Sequence, residues 1–297
     1  MSSSSSALTV GEAIAAGVAK LRASGSPSAR LDAELLIAHV DGHDRSWILA
    51  HPEAPLGEAA AFAAALERRA AGEPIAYIRG YKEWHSLRIR TDRRALIPRP
   101  ETELLADEAI AAIARRGSRR AAPLIVWEVA TGSGAVAVAL AIHFRADLAA
   151  DRMRLIASDV APEALELAAE NFAAHAVAAD VALFRADLLE PAEGSLPRPD
   201  VIVANLPYVP SSGLADRHGS LAFEPPLALD GGRDGLGVLR RLMDQLPARA
   251  APGASVLLEI GADQGDAVMT LAPAGASASL IRDLAGLDRV VRVEMPD

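Results

Sequence analysis

The stretch best suited to chemistry is Asn205, Leu206, Pro207 and Tyr208, which follows a run at residues 200–203 typical of a buried strand. Pro207 lacks an N–H group and disfavours helical geometry in Leu206, so the Leu206 carbonyl can point into a site. Together with the Asn205 side-chain oxygen, this carbonyl offers two acceptors to one NH2 group. Tyr208 adds a flat surface beside them. The stretch is therefore predicted to hold a planar amino or amide nitrogen.

A short glycine-containing turn lies where a predicted strand passes into a predicted helix. Its residues are Glu128, Ala130, Thr131, Gly132, Ser133 and Gly134. Glycines let the backbone approach a ligand closely, and free N–H groups at the start of a helix can bind a negative group. The same pattern also fits a tight turn without a ligand, so this motif alone does not decide between the two.

Two acidic residues end the next two predicted strands. A carboxylate at Asp159 can accept both hydroxyls of a ribose, or it can cap the helix predicted to begin at Pro162. Asp187, followed by Leu188, is placed to meet an adenine amino group or to cap a turn. The turn lacks the full G-x-G-x-x-G motif of dinucleotide binders. Because Glu128 would repel a pyrophosphate and attract a cationic amine, the pattern favours S-adenosylmethionine over NAD.

These groups together are suited to methyl transfer onto nitrogen. An amide or exocyclic nitrogen is a poor nucleophile because its lone pair is delocalised. Two acceptors that hold its hydrogens can orient the lone pair and stabilise the positive charge that develops on nitrogen. A sulfonium already activates the methyl group, so no strong base or metal is required. Cysteine is absent and the seven histidines form no ligand pattern, so we predict no metal site.

Composition limits the class of protein. The chain has 297 residues, of which 51% are hydrophobic, and this predicts a globular protein of one large or two ordinary domains. The net charge of −9 argues against a nucleic-acid substrate. Met1 precedes serines at residues 2–6, with no signal-peptide pattern, and no apolar run is long enough to span a bilayer. We therefore expect a cytoplasmic monomer that contacts neither DNA nor a membrane.

The predicted elements divide the chain into three parts. Helical spacing predicts four short helices that form a small domain over residues 1–83. A β-hairpin linker is predicted over residues 84–98, with its turn at residues 91–94. Over residues 99–297, strands alternate with helices, which predicts an α/β fold with a mostly parallel, doubly wound sheet. Ligands bind such sheets beyond the carboxyl ends of the strands, where the residues named above would meet.

Individual elements of the last part follow from the same patterns. Strands are predicted at residues 124–130, 154–158, 182–185, 200–203, 255–260 and 290–294, and helices at residues 135–144, 162–174, 236–246 and 265–271. A further helix is predicted near Ser279. The segments at 224–226 and 230–235 are predicted to form a loop that covers the site or an ordinary surface turn.

The residues gathered so far resemble the HemK/PrmC family, the protein-(glutamine-N5) methyltransferases that modify peptide chain release factors. The resemblance covers nearly the whole chain, and its most specific part is Leu-Ile-Pro-Arg-Pro-Glu-Thr-Glu at residues 96–103. Further matching segments lie at residues 26–27, 32–36, 72–80, 224–225, 228–229, 232–236 and 258–264. Each segment alone is weak, and their shared order and spacing make the resemblance specific.

The resemblance implies a Rossmann-like class I methyltransferase domain that follows the helical domain. It implies that S-adenosylmethionine contacts the turn at residues 131–134, Asp159, the Asp187–Leu188 pair and Asn205. It also implies that the stretch at residues 205–208 holds the glutamine of a Gly-Gly-Gln loop. The helical domain would then help to dock the release factor.

Three positions depart from the family pattern. Leu206 stands where the family has a first proline, but a backbone carbonyl is the acceptor there and leucine supplies one. Ala130 replaces a glycine, which narrows backbone freedom and clearance for the cofactor. Leu188 replaces an aromatic residue that would pack on adenine. We expect these departures to affect affinity more than activity.

Three alternative functions stay open on the sequence alone. Adenine-N6 rRNA methyltransferases also use Asn-Leu-Pro-Tyr, although the acidic charge and the preceding helical domain argue against them. Ribosomal-protein glutamine methyltransferases are closer, and the form of residues 99–102 favours release factors instead. A non-catalytic, cofactor-binding partner of the translation machinery is disfavoured because Asn205, Pro207 and Tyr208 are retained.

Overall fold

The structure is a computed structural model that describes residues 8–117, 122–191, 196–214 and 219–297. The serines at residues 2–6 lie outside these ranges. The described residues form two compact units. One holds the residues up to Tyr81 together with Gly219–Phe223, and the other holds the rest from Lys82 onward. Within the described ranges, no helix is both long and apolar enough to cross a membrane.

The first unit is helical. Its helices are α1 (Val10–Ala23), α2 (Ala29–Asp41), α3 (Arg45–Ala50), α4 (Ala59–Ala70) and α5 (Ile75–Arg79), and Gly219–Phe223 adds a 3-10 helix. A capping box starts α1, because the Glu12 N–H donates to Thr9 Oγ1 and the Thr9 N–H donates to Glu12 Oε2. Apolar faces of the helices meet in a core that includes Leu36, Ile37 and Phe62.

Helix α5 was not predicted from the sequence. Gly72 and Pro74 indicated the end of α4, and they do end it, but Pro74 also stands directly before the first residue of α5. A proline at the start of a helix loses no hydrogen bond, because the first N–H groups of a helix have no partner within it. Gly80, in a left-handed conformation, ends this short helix.

The hairpin lies earlier than its predicted position at residues 84–98. Its strands are β1 (Tyr81–Trp84) and β2 (Leu87–Arg90), so the stretch predicted as one strand contains the turn. His85 and Ser86 form this turn with φ of 48° and 59°. Turns of this kind usually carry asparagine or glycine, and neither marks this one. The alternating pattern across the turn therefore predicted the wrong element, and residues 95–97 form no strand.

The second unit is built around a mixed sheet. Its further elements are α6 (Glu101–Gly117), β3 (Leu124–Val129), α7 (Ala135–His143), α8 (Arg145–Ala149), β4 (Met153–Asp159), α9 (Pro162–Ala174), β5 (Val181–Asp187), β6 (Glu190–Pro191), β7 (Val201–Ala204), α10 (Ser211–Leu214), a 3-10 helix at Pro226–Ala228, α11 (Gly237–Arg249), β8 (Ser255–Glu259), α12 (Gly265–Met269), β9 (Ser277–Arg282) and β10 (Asp288–Glu294). Among the described residues, the sheet has the order β6-β5-β4-β3-β7-β8-β10-β9.

Five neighbouring strands of this sheet, β5, β4, β3, β7 and β8, are parallel, and β6, β9 and β10 pair antiparallel. This confirms the predicted Rossmann-like, mostly parallel and doubly wound sheet. The helix predicted near Ser279 is wrong, because that segment is strand β9, which pairs with β10. Ala278 and Ser279 have little strand propensity of their own, and pairing with β10 decides their conformation.

Both faces of β3, β4, β7 and β8 are largely buried, which explains why their sequences are mostly apolar rather than alternating, whereas β5 is partly exposed. Val201 and Val203 belong to the core formed with α6, α7 and α9, and Ile202 and Ala204 to the core formed with α11 and α12. The chain runs outward from β3 to β5 and then crosses to β7 on the other side of β3. A crevice at the carboxyl ends of β3 and β7 follows from this change of direction.

Candidate active site

A cavity of about 280 Å³ lies at the carboxyl ends of the parallel strands, entirely within the second unit. The predicted site residues that line it are Glu128, Ala130, Thr131, Gly132, Ser133, Asp159, Asp187, Leu188, Asn205, Leu206 and Pro207. Gly134 and Tyr208 do not line it. The structure therefore brings the glycine-containing turn and the Asn-Leu-Pro stretch to one cavity.

Gly134 does not contact the cavity but packs the turn closely against α9. Its φ is +78°, and a Cβ at this position would lie 2.7 Å from the Phe172 ring and 3.1 Å from Ala168 Cβ on α9. Only glycine fits such a close approach, which lets α7 begin directly against α9. Gly132 also has a positive φ of 55°, but a Cβ there would meet only Ala95, at 3.9 Å. The side of the turn at Gly132 is thus open, and Gly132 itself lines the cavity.

Glu128 ties the turn to the start of α7. Its Oε2 accepts hydrogen bonds from Thr131 Oγ1 at 2.6 Å and from the Ala137 N–H at 2.9 Å. No donor among the described residues reaches Oε1, the oxygen that is left for a ligand. Burial raises the pKa of Glu128 to about 8, although the bonds from Thr131 and Ala137 oppose the shift. Without a ligand, Glu128 is mostly protonated at neutral pH.

Asp159 does not cap α9, because the N-cap residue is Ala161 and no side chain bonds there, but it joins the glycine-containing turn to the segment before α9. Its Oδ1 accepts from the Ala161 N–H just before α9, and its Oδ2 accepts from the Gly132 N–H, both at 2.9 Å. Burial raises the pKa of Asp159, and the backbone N–H groups around it oppose that shift. Because each carboxylate oxygen can accept more than one hydrogen bond, Asp159 can cap the turn and still accept hydroxyl groups of a ligand.

Asp187 lies at the exposed rim of the cavity and forms an ion pair with Arg241, whose Nη2 lies 2.6 Å from Asp187 Oδ2. Both side chains are about half exposed, so such a pair contributes only about 0–1 kcal/mol and a ligand amino group can replace it. Leu188, next along the chain, is buried and has a φ of +57°. It packs into the apolar core on the α11 side of the sheet.

Ala130 departs from the family pattern at a position where glycine is favoured, since its φ is +56°. An alanine in this conformation destabilises the folded state by about 1–2 kcal/mol. A glycine would avoid this strain, and the conformational entropy that it adds to the unfolded chain costs only about 0.5–1 kcal/mol. We expect Ala130→Gly to raise the free energy of unfolding by up to about 1 kcal/mol in urea titrations. Ala173→Gly, at an exposed position of α9, should lower it by a similar amount, and a loss in both variants would contradict this account.

Asn205 presents its acceptor to the cavity. Its Nδ2 donates to Thr102 Oγ1 at 3.1 Å, at the start of α6. Within the described ranges, no donor reaches Asn205 Oδ1 or the Leu206 carbonyl oxygen. Both acceptors of the predicted pair are therefore available to a ligand at one edge of the cavity.

Tyr208 is held behind this pair and not on the cavity wall. Its carbonyl accepts from Gln264 Nε2 at 3.0 Å, and its hydroxyl lies 3.4 Å from Glu259 Oε1. Gly235 packs so closely that a Cβ there would lie 2.3 Å from the Tyr208 carbonyl oxygen. Burial raises the pKa of Tyr208 to about 12, so its hydroxyl stays protonated. The flat surface expected from the sequence is a partly exposed ring that is fixed by the neighbouring loop.

Both segments predicted to cover the site or to form a surface turn reach the cavity, since Pro225 of residues 224–226 and Asp230 of residues 230–235 line it. Leu227 and Ala228, which lie between the two segments, line it as well. Glu224 is buried, and its carboxylate accepts from the Ile97 N–H at 3.0 Å and from Arg99 Nη2 at 2.6 Å. It thereby fixes the segment that leads into α6.

Sequence reasoning assigned no chemistry to Thr102, Glu224 or Glu259, although each lies in a segment that carried the family resemblance. All three side chains are polar and buried. Glu224 and Glu259 are charged residues in otherwise apolar or proline-rich segments, and this could have indicated a buried role. Their hydrogen-bond partners, however, lie far away along the chain. Among the described residues, no group of three or more potential ligand side chains could hold a metal ion.

Comparison with known proteins identifies close relatives. Residues 12–80 match the model of the PrmC N-terminal domain. A protein of Moorella thermoacetica named release factor glutamine methyltransferase is 38% identical over 95% of this chain and 97% of its own length. One of the same name from Neisseria gonorrhoeae is 41% identical over 75% of this chain and 77% of its own. The solved structure of a methyltransferase from Pyrococcus furiosus, 15% identical, covers 72% of this chain and 91% of its own with a TM-score of 0.48.

Proposed function

Because this chain belongs to the release factor glutamine methyltransferase family, we propose that it methylates the side-chain amide nitrogen, N5, of a glutamine in a peptide chain release factor. The glutamine is that of the Gly-Gly-Gln motif, and S-adenosylmethionine is the methyl donor. The observation that carries this proposal is the single cavity that joins the glycine-containing turn to the free acceptors of Asn205 and Leu206.

The residues present fit S-adenosylmethionine. The backbone of Thr131, Gly132 and Ser133 would border it, Asp159 would accept its ribose hydroxyls, and Glu128 Oε1 would face its cationic amine. When bound, it supplies a methyl group on a sulfonium: the nitrogen–carbon bond forms, the carbon–sulfur bond breaks, and one amide proton is lost to solvent. Asp187 would accept from the adenine amino group after release from Arg241.

Asn205 and Leu206 act on the amide of the substrate glutamine. Asn205 Oδ1 and the Leu206 carbonyl would each accept one amide hydrogen, which turns the nitrogen lone pair toward the methyl group. As the nitrogen gains positive charge, both acceptors bind its hydrogens more strongly, so they stabilise the transition state more than the ground state. Neither acceptor needs to change its protonation state.

The alternative functions are not favoured. The relatives from Moorella thermoacetica and Neisseria gonorrhoeae, at 38% and 41% identity over most of this chain, are both named for release factors. We propose that the helical unit helps to dock the release factor, as the resemblance implies. The cytoplasmic location and the monomeric state stay predictions.

A competition experiment tests the assignment among these substrates. The protein is incubated with S-adenosylmethionine carrying a labelled methyl group and with equal amounts of a release factor, ribosomal proteins and rRNA. We expect the label in the release factor. Label in rRNA or ribosomal protein, with the release factor unlabelled, would overturn the proposal.

Binding of S-adenosylmethionine should release most of one proton at pH 7. Glu128, with its pKa of about 8, is mostly protonated before binding, and a cationic amine beside it would ionise it. Since only the ionised carboxylate pairs with the protonated amine, affinity should rise as the pH increases toward about 8 and fall above it, where the α-amine of the ligand loses its proton.

Titration calorimetry in buffers of different ionisation enthalpy measures this proton. The control is Glu128→Gln, which keeps the size of the side chain but cannot ionise. Its binding heat should not depend on the buffer. A wild-type binding heat that is also independent of the buffer at pH 7 would contradict the role given to Glu128.

A further inference from the structure

A buried polar layer lies directly behind Asn205. The register pairs Ala204 of β7 with Leu258 of β8, so Asn205 and Glu259 are neighbours at the ends of these strands. Thr102, at the start of α6, lies beside both, since its Oγ1 accepts from Asn205 Nδ2 at 3.1 Å and its hydroxyl lowers the pKa of Glu259. Thr102 is 5% exposed and Glu259 is 1% exposed.

Glu259 holds an acceptor that needs a donor. Its Oε1 lies 3.4 Å from the Tyr208 hydroxyl, whereas its Oε2 is buried and has no hydrogen-bond partner in the described part of the chain. A buried carboxylate oxygen without a hydrogen-bond donor destabilises the folded protein, so a nearby hydroxyl turns its proton toward that oxygen. The Tyr208 hydroxyl points to Oε1, so the proton left to turn toward Oε2 is that of the Thr102 hydroxyl, which lowers the pKa of Glu259.

The direction of these hydrogen bonds decides which end of the Asn205 amide faces the cavity. A hydroxyl has one proton. If Thr102 donates to Glu259, its oxygen can only accept from Asn205, so Nδ2 faces Thr102 and Oδ1 faces the cavity. If Thr102 donated to Asn205 instead, the amide would turn over and present a donor to the cavity. The two ends of an amide have nearly the same shape, so the hydrogen-bond network chooses between them.

We propose that Thr102 and Glu259 are positioning residues that hold the Asn205 amide with its oxygen toward the substrate nitrogen. Glu259 accepts from Thr102, Thr102 accepts from Asn205, and the Asn205 oxygen is left for the incoming amide hydrogen. This inference rests on the proposed function and deepens it. It explains why Asn205 offers an acceptor, and not a donor, to the reacting nitrogen.

The charges around Glu259 make the arrangement sensitive to pH. Burial and Glu101 raise the pKa of Glu259 to about 7, while Thr102, Tyr208 and Arg289 oppose the rise. Arg289 is itself paired with Asp283, and the Tyr208 hydroxyl also feels the charge of Arg99. Below pH 7 a protonated Glu259 becomes a donor to Thr102, which then donates to Asn205 and reverses its amide. Transfer should therefore fall as the pH decreases through 7.

Matched variants at Thr102 test the proposal kinetically. Thr102→Val keeps the shape but removes the hydroxyl, and we expect kcat to fall about tenfold to 100-fold while the Kd for S-adenosylmethionine changes less than about twofold. Thr102→Ser restores the hydroxyl and should recover most of kcat. A Thr102→Val enzyme with the kcat of the wild type would overturn the proposal.

Glu259→Gln tests the pH dependence. The wild-type kcat should decrease below pH 7, and this decrease should be absent in the variant, whose kcat should be about tenfold lower at pH 8. The same decrease below pH 7 in both enzymes would show that Glu259 does not govern the Asn205 amide.

A measurement without substrate separates this inference from the proposed function. The NMR resonances of the Asn205 side-chain NH2 group should shift with pH around 7 in the wild type and stay constant in Glu259→Gln. Resonances that do not respond in the wild type would overturn the positioning role even if methyl transfer occurs. An enzyme that shows the shift but leaves the release factor unmodified would instead refute the proposed function.

Discussion

Asn205→Ala is expected to lower kcat for methylation of the release factor about 100- to 1,000-fold, the usual effect of removing one hydrogen-bonding group that stabilises a transition state. The side chain supplies one of the two acceptors that hold the substrate nitrogen, and the Leu206 carbonyl alone leaves that nitrogen free to rotate. Single-turnover rates with saturating S-adenosylmethionine give the loss directly.

The Kd for S-adenosylmethionine should change less than about threefold in this variant, because Asn205 is only one of the contacts implied for the cofactor, and Asp159 and the turn at residues 130–134 are untouched. Asn205→Asp keeps an acceptor oxygen at the same distance from the backbone and should retain more activity than the alanine variant. Equal activity of Asn205→Ala and the wild type would refute the acceptor role.

Asp159→Ala is expected to weaken binding of S-adenosylmethionine about 100-fold or more. The variant loses a charged acceptor for two ribose hydroxyls, and each such hydrogen bond contributes about 1.5–3 kcal/mol. It also leaves the N–H groups of Gly132 and Ala161 without their acceptor, so the turn itself is expected to loosen and the Tm to fall.

Equilibrium binding, followed by the fluorescence of the protein or by calorimetry, measures this effect at a temperature well below the Tm. Asp263→Ala is the matched control, because Asp263 is an exposed carboxylate that lies outside the cavity lining. It should leave both the Kd and the Tm close to those of the wild type. Unchanged affinity in Asp159→Ala would exclude the ribose role and leave Asp159 only its hydrogen bonds to the N–H groups of Gly132 and Ala161.

The sequence predicted the strands at the centre of the sheet well because they are decided by local patterns. Buried parallel strands are mostly apolar, and residues 124–129, apart from Glu128, and residues 201–204 are such runs in an alternation with helices. Since parallel strands end at one edge, polar residues directly after them could be expected to meet. Asp159 and Asn205, which lie at the end of one such strand and directly after another, do line one cavity.

The conformations of strand β9 and of the hairpin turn are decided by tertiary contacts, which local sequence patterns do not show. Strand β9 is held by pairing with β10, although the alanine and serine residues of its first half suit a helix equally well. The hairpin turn at His85 and Ser86 adopts a left-handed backbone without the residues that usually signal it. The error at β9 lies outside the cavity lining, whereas the misplaced hairpin touches it, because Arg94, Ala95 and Leu96 line the cavity.

The polar layer behind Asn205 could not be derived from the sequence. Thr102 and Asn205 are 103 positions apart, and Glu224 and Ile97 are 127 apart, so no local spacing links them. Their segments stood out only as family motifs, without a chemical reason. The structure supplies that reason, since a buried carboxylate beside a hydroxyl orients the one amide that faces the substrate.

The central claim is that the Asn205 and Leu206 acceptors present a release-factor glutamine to the methyl donor. Its most direct test is tandem mass spectrometry of a release factor incubated with this protein and S-adenosylmethionine, with Asn205→Ala in parallel. We predict one added methyl group, on the glutamine of the Gly-Gly-Gln peptide, with the wild type and almost none with the variant. A methyl group on another residue, or an unmodified release factor with the wild-type protein, would contradict the account.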